Sequence, residues 1–342
     1  MLKRKPAERA FDAFEPKVFE EIAAAYGLGP VTAVHTVVVE GDRVVLLGEK
    51  SETSRKYLMV TPQGQHFLKE VPWYCDDPER IAFSADFGNR LAAAGLPVPA
   101  ARRGPGGQAF VFAAGSRFVL YDYRPGRIYD GSAAHKASAA RGLARLHTAA
   151  VGLVPQGSAP TESVREVVRD HLRLVAETRP EQTRPGTGFE ELGDELLELL
   201  PDEVDACPVH GDFIPWNIAY DSSGELSAIY DFDNACFGSP LRDLGKALSS
   251  FCFLPYAGCG TALTPLAQSS PEQLPGFAPM VEAYDDERRL SSSDLQKLPR
   301  YVLGGFAASV LLSVVRGEQQ TAGTHTLRRW FDAVLQAADR VS

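Results

Sequence analysis

Two short segments in the second half of the chain carry carboxylate and carboxamide side chains at fixed spacing. The first reads His-Gly-Asp-Phe-Ile-Pro-Trp-Asn and has Asp212 and Asn217 five positions apart. The second reads Ile-Tyr-Asp-Phe-Asp and contains Asp231. Asn217 and Asp231 offer hard oxygen atoms, which are the ligands that Mg²⁺ prefers. The two segments therefore indicate a candidate site for a divalent cation.

Each segment by itself also has a plainer interpretation. An isolated His-Gly-Asp sequence is typical of a surface turn, and an isolated Asp-x-Asp sequence is typical of a solvated strand end. The His210 side chain is expected to brace its loop through hydrogen bonds. Asp243, at the start of a predicted helix, is expected either to cap that helix or to brace the same loop.

The elements before these segments are predicted to be mainly strands. Helical spacing over 15–26 ends at Gly27 and Gly29, and a second helix fits 78–94, where Gly95 and a Leu-Pro-Val-Pro segment end it. Runs of β-branched and aromatic residues, separated by turn sequences, predict strands over 31–40, 43–47, 57–61, 66–70, 109–113 and 117–123.

From residue 132 onwards the periodicity is mainly helical. The predicted helices cover 132–149, 161–177, 189–200, 241–253, 271–284, 293–315 and 326–341. An island of short strands over 207–210, 218–220 and 226–230 interrupts them. The expected fold class is α+β, with a small β-rich N-lobe over 1–123 and a larger helical C-lobe over 124–342.

The composition excludes several classes of protein. The chain has 342 residues and a formal net charge of −9, which gives no general electrostatic footprint for nucleic acid or an anionic membrane. Its longest apolar run, 301–315, is short for a membrane span and favours a buried core helix. The N-terminus lacks the apolar stretch of a signal peptide, and the five cysteines form no Cys-x-x-Cys pair. We therefore expect a cytoplasmic protein without a nucleic-acid or membrane partner.

The spacing of Asp212 and Asn217 matches the kinase catalytic loop His-Arg-Asp-x-x-x-x-Asn, and the Asp-Phe pair at 231–232 is similar to the kinase Asp-Phe-Gly motif. With the surrounding order of elements, the chain resembles the aminoglycoside phosphotransferase and choline kinase family. The resemblance implies a protein-kinase-like two-lobed fold and a Mg²⁺-dependent O-phosphotransferase that uses ATP or GTP. It also implies that Asp212 is the catalytic base and that Asn217 and Asp231 hold the metal ion.

The resemblance places a phosphate-binding lysine at Lys69, on the predicted strand 66–70. Its usual glutamate partner in the next helix is replaced by Ser84, whose hydroxyl group carries no charge. Glu79 lies near the start of that helix, and Asp86 points to a different face from Ser84. The partner of Lys69 therefore stays open.

The other nucleotide contacts are expected from the loop 48–57 and from the segment that joins the lobes. The loop lacks Gly-x-Gly-x-x-Gly, and its hydroxyl and backbone N–H groups suit an anion, although an ordinary polar hairpin loop is the alternative. In the joining segment, backbone groups are expected to face the purine, with only one of two tyrosines pointing inward. The candidate nucleotide-binding residues are Lys69, Ser51, Thr53, Ser54, Tyr121 and Tyr123.

In this family the acceptor binds near the catalytic loop and the late helices. A carboxylate cluster over 282–287 would suit an amine-bearing acceptor, although such clusters usually face water. A polar stripe in a later helix is the better pocket candidate. The candidate acceptor residues are Asp233, Ser309, Ser313 and Arg316. The expected acceptor is an aminoglycoside-like or other antibiotic, or an amino alcohol.

Two other functions stay open. A protein Ser/Thr kinase of the same fold would need an activation segment, but only 11 residues lie between Asp231 and Asp243. A non-catalytic nucleotide-binding protein is suggested only by the missing glutamate. The expected partners are a nucleoside triphosphate and a small hydroxyl acceptor, for a chain that acts as a monomer or a homodimer.

Overall fold

The fold is that of a computed structural model of the chain. The structure describes residues 15–36, 55–72, 75–205, 207–254, 266, 276–319 and 323–339. Contacts within the chain divide it into two compact units. The first unit comprises Met1–Ile128, Leu153–Ala159 and Ile218–Ala235, and the second comprises Tyr129–Gly152, Pro160–Asn217 and Cys236–Ser342.

The first unit takes in more than the predicted N-lobe over 1–123, because two later segments pack with it. The backbone N–H of Ile229 donates to the Pro97 carbonyl (2.8 Å). The Phe232 ring packs edge-on against Phe87, with 5.6 Å between the ring centroids. These contacts tie the Asp-Phe-Asp segment to the β-rich part of the chain.

The first unit is built on a five-stranded antiparallel sheet with the strand order β1-β2-β3-β5-β4. Its strands are β1 (Ala33–Thr36), β2 (Lys56–Thr61), β3 (Gly64–Glu70), β4 (Val111–Ala113) and β5 (Ser116–Asp122). The unit also contains helices α1 (Pro16–Ala25) and α2 (Pro78–Ala93) and a hairpin of β7 (Ile218–Tyr220) and β8 (Leu226–Ile229). The predicted strand 43–47 lies outside the described residues.

The strand β3 is covered by apolar groups on both faces. Leu68 lies in a core cluster with Ile22 of α1. On the opposite face, Val71 packs in a second cluster with Ile81 of α2. Because side chains alternate along a strand, Lys69 shares its face with Val71 and points towards the α2 side.

The second unit is mainly helical. It contains α3 (Ala133–Ala150), α4 (Val164–Thr178), α5 (Phe189–Leu199), α6 (Pro240–Leu248), α7 (Ala278–Glu287), α8 (Ser292–Val315) and α9 (Thr324–Asp339), with the strand pair β6 (Cys207–Val209) and β9 (Cys236–Gly238). By length and composition α8 is apolar enough to cross a membrane, but 78% of its most apolar stretch is buried inside the protein. It is a core helix, as the sequence predicts.

The backbones of α6 and α8 approach each other closely at two glycines. A Cβ atom on Gly245 would lie 2.4 Å from the carbonyl carbon of Tyr301, and one on Gly305 would lie 2.7 Å from the Cα atom of Lys246. Any larger side chain at either position would push the helices apart. The contact therefore fixes α6, which carries Asp243 and Lys246, against the core helix of the second unit.

Candidate active site

The segment from His210 to Asn217 leaves β6 through a turn at Gly211, whose φ of +79° favours glycine. The carboxylate of Asp243, on α6, holds this turn. Its Oδ2 atom accepts the His210 backbone N–H (2.6 Å), and its Oδ1 atom accepts the Gly211 N–H (2.8 Å). Asp243 thereby fixes the backbone that presents Asp212.

The carboxyl group of Asp243 is buried, with 1% of its side chain exposed, and His147 Nε2 lies 3.4 Å from its Oδ2 atom. Burial alone would raise the pKa of Asp243, but the interaction with His147 holds it below its usual value. Ser239 caps α6 by accepting the Leu241 N–H (3.3 Å). Two roles were expected for Asp243, capping α6 or bracing the loop. The structure shows Asp243 in contact with the loop, and Ser239 is the residue that caps the helix.

Two buried histidines flank this support. The Nδ1 atom of His147 lies 2.8 Å from Tyr284 Oη, and burial lowers the pKa of His147. His210 accepts the Asp212 backbone N–H at its Nδ1 atom (3.2 Å), and its ring packs edge-on against Phe213. A ring nitrogen that accepts a hydrogen bond carries no proton, so the proton of a neutral His210 lies on Nε2. The His210 ring therefore contacts the loop itself, and the His147 ring contacts the Asp243 carboxylate that supports it.

The side chain of Asp212 is oriented by Asn217. The Asn217 Nδ2 group donates to the Asp212 carbonyl (2.9 Å) and to its Oδ2 atom (3.1 Å). About a quarter of the Asp212 side chain (26%) is exposed, so the carboxylate can be reached from solvent. The Asn217 Oδ1 atom is not engaged by these contacts and is the atom that can bind a cation.

A lysine that the sequence analysis did not single out lies beside Asp212. The Lys246 ammonium group is 3.6 Å from Asp212 Oδ1 and donates to Ser309 Oγ (2.8 Å). Burial lowers the pKa of Lys246, and the positive charges of Arg242 and Arg316 act in the same direction against the opposing effect of Asp212. Asp212 therefore has a cationic side chain, that of Lys246, directly beside it in the second unit.

In the first unit, four side chains form what we call the lysine–carboxylate cluster: Lys56, Lys69, Asp231 and Asp233. Lys69 Nζ lies 2.6 Å from Asp231 Oδ1 and 2.5 Å from Asp233 Oδ2, and Lys56 Nζ lies 3.0 Å from Asp231 Oδ2. Lys56 and Lys69 are opposite each other in the register of β2 and β3. Like charges in that position repel each other, and the two carboxylates balance them.

The cluster keeps the side chains of Lys69 and Asp231 charged. Burial alone would lower the pKa of Lys69, but Asp231 and Asp233 raise it well above its usual value. Burial would raise the pKa of Asp231, but Lys56 and Lys69 lower it far below its usual range. Asp231 is therefore a carboxylate at neutral pH, which is the form that binds a cation.

Aromatic rings line the same side of the sheet. Tyr121 and Tyr123 both pack against Phe67, and the Phe67 ring lies 5.6 Å from that of Tyr230. The expectation that only one of the two tyrosines points inward was wrong, because residues two apart share one face of an extended chain. Together these rings form an apolar surface beside Lys69, which is on β3 with Phe67.

The remaining sequence candidates have other surroundings. Ser51, Thr53 and Ser54 lie outside the described residues. Ser313 is 2% exposed, and its hydroxyl group donates to the Val310 carbonyl within α8 (2.7 Å). Arg316 follows the end of α8 and is exposed. Asp233, a candidate for acceptor binding, instead pairs with Lys69 of the first unit. Of the α8 stripe, Ser309 is the member that contacts Lys246.

The carboxylates over 282–287 do not form the acidic wall that would suit an amine-bearing acceptor. Asp285 pairs with Arg289 (2.5 Å), and Glu287 pairs with Arg145. These arginines are largely exposed, so the pairs are surface ion pairs. Glu282 and Asp286 are exposed, so the cluster has the solvated surroundings that such clusters usually have.

Lys56 and Lys246 both had a signal in the sequence. The Pro-Gln-Gly turn before β3 fixes the hairpin register, and that register puts Lys56 opposite Lys69. Lys246 follows Asp243 by three residues, a spacing that puts both on one side of a helix. The hairpin register therefore predicts that Lys56 lies beside Lys69, and the helical spacing predicts that Lys246 lies on the same side of its helix as Asp243.

Replacement of Asp243 by alanine should destabilise the protein, because two buried N–H groups lose their acceptor. At about 1–3 kcal/mol for each buried group left unpaired, we expect the free energy of unfolding in urea to fall by roughly 2–5 kcal/mol. Asp170→Ala, which removes an exposed ion pair with Arg173, is the matched control and should change it by less than about 0.5 kcal/mol.

The loss of unfolding free energy in Asp243→Ala should also depend on pH. The pKa of Asp243 is lower in the folded than in the unfolded protein, so its contribution is complete above about pH 4 and is lost as the pH falls towards the folded-state value. The difference between wild type and Asp243→Ala should therefore narrow on acidification below about pH 4. A difference that widens in acid would contradict the role given to this carboxylate.

The sequence and the fold agree with a single family of known proteins. The model of the phosphotransferase enzyme family matches residues 47–262, which is more than half of the chain. A homoserine kinase of Caulobacter vibrioides is 23% identical over 239 residues, covering 68% of this chain and 70% of that protein.

Solved structures show the same fold. The amicoumacin kinase hAmiN, in complex with AMP-PNP, Ca²⁺ and Ami, has a TM-score of 0.62 at 18% identity, covering 95% of this chain and 93% of that one. The choline kinase LicA of Streptococcus pneumoniae has a TM-score of 0.57 at 18% identity, covering 95% and 98%. At these identities the likeness shows the fold, which is the α+β kinase-like fold expected from the sequence. With the family match over residues 47–262, it follows that the chain belongs to the phosphotransferase enzyme family and is an enzyme that transfers a phosphoryl group.

Proposed function

We propose that the protein transfers the γ-phosphoryl group of ATP or GTP to a hydroxyl group of a small molecule, with Asp212 as the catalytic base. The observation that carries this proposal is the support of Asp212. The backbone just before it is held by Asp243 and its carboxylate by the Asn217 amide, so a proton acceptor is fixed in one orientation at an accessible position. Phosphoryl transfer depends mainly on such positioning and on charge neutralisation.

In the proposed reaction the hydroxyl group of the acceptor donates a hydrogen bond to Asp212. As the acceptor oxygen forms its bond with the γ-phosphorus, the bond from phosphorus to the bridging oxygen breaks, and the nucleoside diphosphate leaves. The hydroxyl proton passes to the Asp212 carboxylate and then to solvent. The Lys246 ammonium group, 3.6 Å from Asp212 Oδ1, lies beside the carboxylate that takes up this proton.

The nucleotide is held in part by the first unit. Lys69 would bind its phosphates, and the rings of Tyr121 and Tyr123 offer an apolar surface for the base. Ser51, Thr53 and Ser54 are proposed as further phosphate contacts. Asn217 Oδ1 and the ionised Asp231 carry the oxygen chemistry that Mg²⁺ prefers and are kept as its proposed ligands, and the ion would neutralise phosphate charge when bound.

The proposed acceptor carries a negative group as well as its hydroxyl group. Lys246 donates to Ser309 and lies 3.6 Å from the proposed catalytic base, so its ammonium group would attract a carboxylate there. The relative from Caulobacter vibrioides is a homoserine kinase by name, and homoserine is an amino acid with a hydroxyl group. A hydroxy amino acid therefore fits better than a polycationic aminoglycoside, which is one of the acceptors expected from the sequence beside other antibiotics and amino alcohols.

The alternative of a non-catalytic nucleotide-binding protein is not supported by the contacts of Lys69. It rested on the missing helix glutamate, yet Lys69 has two carboxylate partners in the described part of the first unit. The short connection from Asp231 to Asp243 still disfavours a protein kinase.

Replacement of Asp212 by asparagine should abolish most of the transfer and leave nucleotide binding intact. Loss of a general base typically costs about 10²–10⁴ in rate, so kcat should fall by that factor, while the Kd for nucleotide should stay within about twofold. Asp221→Asn, in an exposed turn, is the matched control and should be as active as the wild type. Turnover of Asp212→Asn close to that of the control would refute the assignment.

Replacement of Lys246 by methionine should affect acceptors according to their charge. We expect KM for homoserine to rise by about tenfold or more, because one charge-assisted hydrogen bond is lost. The matched acceptor 3-aminopropan-1-ol has the same chain without the carboxylate, and its KM should be unchanged. Equal losses of kcat with both acceptors would instead show that Lys246 acts on Asp212 or on the transferred group.

A further inference from the structure

Helix α2 offers its acidic side chains to groups other than Lys69. Ser84, at the position of the expected glutamate, donates its hydroxyl proton to the Arg80 carbonyl within the helix (3.0 Å). Asp86 forms ion pairs with two arginines, at 2.6 and 3.2 Å. Glu79 is exposed, whereas the side chain of Lys69 is only 3% exposed. The lysine must therefore be held by a group from another part of the chain.

Asp233 is in the position to do this. Its Oδ2 atom lies 2.5 Å from Lys69 Nζ, and its side chain is 12% exposed. Its carbonyl oxygen accepts hydrogen bonds from Arg80 Nε (3.3 Å) and Nη2 (3.2 Å) and from Cys75 Sγ (3.4 Å). Arg80 belongs to α2. The helix is therefore connected to Lys69 by the contacts of Arg80 with Asp233 and of Asp233 with Lys69, and not by a glutamate of its own.

Asp231 alone would not be sufficient for this task during catalysis. It pairs with both Lys56 and Lys69, and it is also the proposed ligand of the metal ion. A carboxylate drawn to a divalent cation gives up part of its attraction for the lysines. Lys69 then keeps its place only if a second carboxylate stays with it.

We propose that Asp233 is a positioning residue that holds Lys69 for the nucleotide phosphates and so replaces the helix glutamate that Ser84 has lost. This inference rests on the proposed function, because it takes nucleotide phosphates as the ligand of Lys69. Asp233 acts through Lys69 and is not assigned a contact with the nucleotide.

The structure also suggests how the missing carboxylate can be returned. Ser84 and Asp233 line the same small cavity on the α2 side of the sheet, together with Tyr121 and Val119. Val119 is opposite Lys69 in the register of β3 and β5 and so shares its face. A glutamate at position 84 would therefore direct a carboxylate into the cavity beside Lys69.

The test compares Asp233→Asn with the double variants Asp233→Asn/Ser84→Glu and Asp233→Asn/Ser84→Gln. The Kd values of ATP and GTP are measured calorimetrically in EDTA and again with Mg²⁺, with a thermal unfolding curve for each protein. We expect Asp233→Asn to weaken metal-free nucleotide binding by about tenfold, as for the loss of one charge-assisted contact. Ser84→Glu should recover most of this loss, and the isosteric but uncharged Ser84→Gln should recover none.

Normal nucleotide binding by Asp233→Asn, or equal binding by the two double variants, would overturn the proposal. If Asp233→Asn alone does not fold, the proposal still requires the Ser84→Glu double variant to fold and bind nucleotide, and failure of both double variants counts against it. If the variants show the expected nucleotide binding but the wild type phosphorylates no acceptor, the proposed function is refuted and the role of Asp233 stands. If the wild type transfers phosphate but Asp233→Asn binds nucleotide normally, the proposed function stands and the role of Asp233 is refuted.

Discussion

The side chain of Lys69 is buried in the first unit, where an ammonium group without a partner would cost several kcal/mol. Lys56 lies opposite it on the neighbouring strand and adds a second positive charge. The sheet can hold both lysines only because Asp231 and Asp233 supply two negative charges at 2.5–3.0 Å. These carboxylates come from a turn after β8, which explains why residues 218–235 fold with the β-rich unit.

The second unit applies a similar constraint to a single carboxylate. Asp243 is buried and accepts two backbone N–H groups of the loop that carries Asp212. Its helix is placed by close backbone contact with α8, at glycines where a side chain would not fit. A core contact between helices therefore determines where the loop 210–217 lies, and the loop determines how Asp212 is presented. Lys246, on the same helix, lies 3.6 Å from Asp212 and is the residue on which our proposal of an acidic acceptor depends.

Much of this was predictable from local sequence. The α+β class, the strand-rich first third and the core character of α8 follow from periodicity, and the Asp212–Asn217 spacing carries the family resemblance. The partner of Lys69 was not predictable in that way. The expected partner was a glutamate of the next helix. Asp231 instead lies 162 residues further along the chain than Lys69, and only folding brings the two together. The carboxylates over 282–287 have the solvated surroundings that the sequence favoured, but the partner of Glu287 was not predictable because Arg145 belongs to a distant helix.

The central claim is that Lys69 and Asp231 depend on each other inside the first unit. A double-mutant cycle with Lys69→Met and Asp231→Asn, read out as the free energy of unfolding in urea, tests it most directly. Breaking a buried pair from one side costs about 3–5 kcal/mol, so each single variant should be strongly destabilised, and the double variant should be more stable than the sum predicts by about 2 kcal/mol. Effects that add to within about 0.5 kcal/mol would show that the two charges are independent and would contradict the account.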